Sequence, residues 1–117
     1  MNSSLRALVL TLAVALGGAF ATLNEASARP LSGAATLWLD CENGGRYAVR
    51  PIAISDEGDL VTARLVIGRN QGVHVRLMPM GHGYRYAGRG IWFDGWRESV
   101  YLYRSKYRAI ACTVVGG

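Results

Sequence analysis

From residue 37 onward the chain alternates apolar and polar side chains in short runs, each ending in a cluster of glycine, asparagine, aspartate or serine. Residues 37–41 alternate with Leu37, Leu39 and Cys41 on one face. In the turn Glu42-Asn43-Gly44-Gly45, Asn43-Gly44 is a strong hairpin signal, and residues 46–54 return with Tyr47 and Val49 on one side and Arg46, Ala48 and Arg50 on the other. Pro51 has no amide hydrogen to give a ladder, which puts that half of the strand at a sheet edge or a bulge. After an acidic turn at 55–59, residues 60–67 and 73–77 predict a second hairpin around 68–72, with Val73, Val75 and Leu77 inward and His74 and Arg76 outward. Residues 98–104 alternate again, and 107–115 complete the set. No long segment past the first residues holds a helical period, so seven or eight short strands predict an all-β fold, an antiparallel barrel or sandwich.

The first 28 residues carry a different pattern. Arg6 precedes an apolar run from 7 to 16, and Ala26-Ser27-Ala28 offers a small-x-small cleavage site. Residues 1–28 therefore read as a secretory signal peptide, with a cut after Ala21 or an uncleaved anchor as alternatives; the run is short for a membrane span. No cysteine follows the cut closely, as a lipid-anchored precursor would need. The expected mature product is one soluble domain of residues 29–117, exported to the periplasm, with no membrane span after cleavage.

Export changes the reading of the cysteines. Cys41 and Cys112 stand near the two ends of the domain, and both share phase with apolar neighbours, Cys112 with Ile110 and Val114. One disulfide joining first strand to last is the expectation in an oxidising compartment, and there is no Cys-x-x-Cys spacing for redox catalysis. Charge adds a partner class. Removing Arg6 from 13 basic residues and Glu25 from 8 acidic ones leaves twelve against seven, net +5, and eleven of the twelve are arginine. Such an excess points to an anionic partner or to a solvated outer face, and export argues against nucleic acid.

Residues 80–97 concentrate five glycines, five aromatics and three arginines in eighteen positions. Tyr, Trp and Arg are the side chains that most often anchor interfaces, and glycine lets another surface approach. The plainer reading is a glycine-punctuated β-turn whose aromatics help close a barrel. Catalytic chemistry has no signature here: Gly81-His82-Gly83 and Gly88-Arg89-Gly90 precede strand-like sequence rather than a helix, and Ser99, His82 and Asp94 form no local triad motif. With only His74 and His82 and no cysteine or carboxylate cluster, neither a metal site nor a cofactor is expected, and a non-enzymatic role is the better reading.

An exported domain of this size, with a cysteine on its first strand, a glycine-bearing loop ending in Gly83-Tyr84-Arg85-Tyr86, a turn with Trp and Gly, and a cysteine on its last strand, resembles the bacterial membrane-bound and periplasmic inhibitors of c-type lysozyme. The resemblance spans nearly all of the expected mature chain. It implies an eight-stranded antiparallel barrel that inserts a loop into the lysozyme active-site cleft. The family motif Ser-x-Ser-Gly-x-x-Tyr falls on residues 80–86, where Gly83 and Tyr86 are kept and Met80 and His82 stand at the two serines. In the family the second serine and a lysine from the next loop contact the enzyme's catalytic carboxylates. Alignment on Trp92 and Gly95 puts Asp94 at the lysine; a gap-free register from Tyr86 puts Trp96 there, with Arg97 adjacent. The resemblance thus implies a lysozyme-binding set of Met80, His82, Gly83, Tyr84, Arg85, Tyr86, Trp96 and Arg97, with the loop 80–86 as the wedge. A different class of function on the same scaffold is an envelope module that holds anionic glycan or lipid headgroups through arginines and aromatics.

Overall fold

In the computed structural model, which describes residues 29–116, the chain forms a closed antiparallel barrel of eight strands in sequence order. These are β1 (Leu37–Cys41), β2 (Arg46–Ile54), β3 (Leu60–Gly68), β4 (Gln71–Met78), β5 (Tyr84–Ala87), β6 (Trp92–Trp96), β7 (Ser99–Ser105) and β8 (Arg108–Gly116). The expected leader at 1–28 lies outside the described residues. No helix among the described residues is long and apolar enough to cross a membrane.

Alternation sets the inside of the barrel. Leu39, Val49, Leu65, Tyr86, Phe93 and Leu102 are fully buried, each on the inward phase of its strand. Closure comes from β1 pairing with β8, where Cys41 faces Cys112 in register and the two form a disulfide with an S–S distance of 1.98 Å. Because the sheet has no edge, Pro51 sits at a bulge, with register shifts on either side of Ala53. Ala48 faces outward as expected and yet is buried, because it lies between its register partners Trp38 and Val66.

Two boundaries differ from the sequence reading. The β3–β4 connection is tighter than 68–72, because Asn70 adopts a left-handed conformation (φ 55°) that reverses the chain within two residues. Likewise 80–97 is mostly wall. Tyr84–Ala87 and Trp92–Trp96 are paired strands, so the loop at its start ends at Gly83 and not at Tyr86. Hydrogen bonding decides this: the ladder satisfies the backbone groups that a buried loop would leave unpaired.

Up-and-down order sorts the connections. The segment before β1, the β2–β3 turn, the loop 79–83 and the β6–β7 turn all gather at one end of the barrel. There the arm is held by an isolated bridge from Ser32 to Asp59, by Leu31 O accepting from Leu60 N at 2.7 Å, and by an Arg29–Asp59 ion pair at 3.4 Å.

Candidate functional site

Gly83 and Gly95 determine how the loop 79–83 meets the β6–β7 turn. Gly83 has φ 64°, and a Cβ there would overlap the carbonyl oxygen of Gly95, so only glycine lets the loop lie directly on β6. A Cβ on Gly95 would in turn overlap the ring of Tyr84. Its absence lets that ring cross β6 from within the barrel, where its hydroxyl donates to Arg97 O at 2.6 Å. Arg97 itself takes a left-handed conformation, φ 57°, at the turn into β7. Tyr84 thus anchors the tip of one hairpin from the strand that follows the neighbouring loop.

Above this lock the two segments touch. The rings of His82 and Trp96 lie 4.5 Å apart, tilted by 45°. Met80 (41% exposed), His82, Trp96 (38% exposed) and Arg97 all face solvent, so this part of the barrel end is a ridge that mixes apolar, imidazole and guanidinium groups. Beside the ridge an open cleft of about 760 Å³ runs under the N-terminal arm, lined in part by Leu31, Glu57, Tyr84, Arg97 and Glu98. A smaller hollow of about 270 Å³ lies between Met78, Met80 and Tyr84.

Of the eight residues singled out in the sequence, the structure gathers Met80, His82, Gly83, Trp96 and Arg97 at this end. Tyr84 and Tyr86 are strand residues with 2% and 0% of their surface exposed, so they support the ridge from beneath and have almost no side-chain surface left for a partner. Arg85 points outward on the wall and makes a bidentate pair with Asp94, its register partner, with Nη2 to Oδ2 at 2.9 Å. That hydrogen bond, ahead of the carboxylate's charge, raises the Arg85 pKa. Asp94 is therefore neutralised on the wall, and the turn presents Trp96 and Arg97. The Arg85–Asp94 pair becomes legible only once the hairpin is centred: with its turn at 88–91, residues 85 and 94 face one another.

Burial pushes the phenol of Tyr84 well above its ordinary range, and the nearby charge of Glu98 pushes it further. Tyr86, whose hydroxyl donates to Leu60 O at 2.7 Å, is raised chiefly by burial as well. Unfolding returns both to the ordinary phenol value of 10.0, so above that pH the unfolded chain releases protons that the native state retains. Stability should be level in these two groups up to about pH 10 and fall beyond it, and Tyr84→Phe should lessen the fall. Urea midpoints at rising pH test this, and midpoints that hold steady well past the phenol range would contradict it.

Comparison with protein-family models, with curated proteins and with solved structures returns no match for this chain.

Proposed function

We propose that the protein inhibits a c-type lysozyme by seating the ridge of 79–83 and the β6–β7 turn in the enzyme's cleft. The observation that carries this reading is the His82–Trp96 contact, which joins the two segments into one exposed tip beside Arg97. A projecting tip with apolar flanks and a cation complements a cleft that carries carboxylates, and its glycine-locked backbone limits the ordering cost of docking. His82 stands at the family's second serine. Arg97 takes the part of the lysine, and its planar fork suits bidentate pairing with a carboxylate. Asp94 brings no repulsion to the tip, because its charge is held by Arg85 on the wall.

Replacing His82 or Arg97 by alanine should each weaken binding by about 2 kcal/mol, roughly thirtyfold in Kd. His74→Ala should leave affinity unchanged, since His74 is exposed on β4 away from this end. Calorimetric titration into a c-type lysozyme measures all three. If His82→Ala and Arg97→Ala both bind like the wild type, the ridge is not the interface.

A further inference from the structure

The outer wall of β2–β4 carries a row of basic side chains with no acidic neighbour on those strands. Arg50, Arg64 and His74 are direct register partners across the three strands, and all are exposed. At the usual interstrand spacing the two arginines are about 5 Å apart at the backbone, an arrangement that costs stability when like charges face each other. No acidic residue lies on β2, β3 or β4. Among the described residues the ion pairs are Arg29–Asp59 and Arg85–Asp94, so neither arginine of the row has a carboxylate partner. Arg64 is also seated: its Nε and Cζ occupy the space that a Cβ on Gly72 would take, which lays the guanidinium along the wall.

The next row continues into aromatics. Thr62, Arg76, Ala87, Trp92 and Tyr103 follow one another in register over five strands. Trp92 and Tyr103 stack face to face at 4.9 Å, and on the β5 side the Arg85 guanidinium, held by Asp94, lies over the Trp92 ring at 6.0 Å from its centroid. On that side the row has only the methyl group of Ala87 between Trp92 and Arg76. The gap is two strand spacings wide, about 10 Å, with Arg76 on one side and the Arg85-covered ring of Trp92 on the other.

We propose that this wall binds an anionic glycan chain that crosses the gap over Ala87 and whose acidic groups meet Arg76, Arg64 and Arg50. Three features select this occupant. In an eight-stranded closure successive strands turn by roughly 45°, so the cations fan around a curve that a flexible polyanion can follow and a flat bilayer cannot. Guanidinium groups match carboxylate, sulfate or phosphate oxygens bidentately. Single-stranded nucleic acid calls for successive open aromatic platforms, and in this band Trp92 is covered by Tyr103 on one face and by Arg85 on the other. The wall is separate from the ridge at the barrel end, so the proposal does not rest on lysozyme inhibition. Both partners can be held at once.

The test uses protein produced from the full chain, with an oligogalacturonate of defined length as probe, a neutral dextran oligomer of equal length as control, and calorimetry at low salt. The acidic oligomer should bind and the neutral one should not. The double variant Arg50→Ala/Arg64→Ala should lose about tenfold in affinity, and Ala87→Leu, which fills the gap without changing charge, should lose a similar amount. Arg104→Ala/Arg108→Ala removes the same charge elsewhere and should change affinity less than about twofold. Inhibition or binding of lysozyme should be unaltered by the first pair. Equal losses in the two arginine pairs would reduce the effect to net charge and overturn the site. So would absence of oligogalacturonate binding, an unaffected Ala87→Leu variant, or tighter binding to single-stranded DNA or to phosphatidylglycerol vesicles.

Discussion

Replacing Cys41 and Cys112 together by alanine should lower stability by about 4 kcal/mol, most of it through the unfolded state. The bridge spans 71 positions, so its removal releases nearly the whole described domain to explore open conformations when unfolded. In the native state less changes, because β1 and β8 still pair over five residues and Leu39 and Val114 still meet across the seam. Small domains have only about 5 to 15 kcal/mol in total, so the variant should unfold at much lower urea. Its m-value should rise as well, since an uncrosslinked chain exposes more surface. Urea unfolding of the oxidised wild type and the double variant measures both quantities, and a loss below about 1 kcal/mol would show that the crosslink constrains little.

The second large effect is expected from Gly95→Ala. The new methyl group occupies the place of the Tyr84 ring, which is buried and whose hydroxyl donates to Arg97 O. Forcing the ring aside overpacks the barrel and breaks that hydrogen bond, for a combined loss of about 3 kcal/mol. Tyr84→Phe keeps the ring and removes only the bond, so it should cost about 1 kcal/mol. The two variants separate stability from site geometry. Both should loosen the β6–β7 turn and the His82–Trp96 contact, visible as changed tryptophan emission from Trp96, whereas only Gly95→Ala should greatly shift the urea midpoint. A Gly95→Ala protein as stable as the wild type would mean that Tyr84 does not cross β6 as described.

Local chemistry made most of the barrel readable from the sequence. Asn43-Gly44 fixed one hairpin, the inward phases of Cys41 and Cys112 fixed the seam, and the alternation at 46–54 and 73–77 separated inside from outside. Residues 80–97 were harder because glycine there serves close packing as well as turning. Gly83 and Gly95 make room for a carbonyl and a ring from neighbouring segments, contacts that no spacing rule encodes. Tyr84 and Tyr86 resemble interface anchors in composition and are core residues in fact, since a small barrel fills its interior with the same side chains that interfaces favour. The basic row was unreadable for another reason. Arg50, Arg64 and His74 become neighbours only when the registers of two hairpins are known, and a bulge or a tight turn shifts each of them.

Titrating a turnover assay of a c-type lysozyme with the protein and with the double variant His82→Ala/Arg97→Ala measures whether the ridge blocks the enzyme. Wild-type protein should suppress turnover saturably at one molecule per enzyme, and the double variant should need roughly a thousandfold more, given about 4 kcal/mol lost from two anchors. Undiminished lysozyme turnover at saturating wild-type protein would contradict inhibition by this protein.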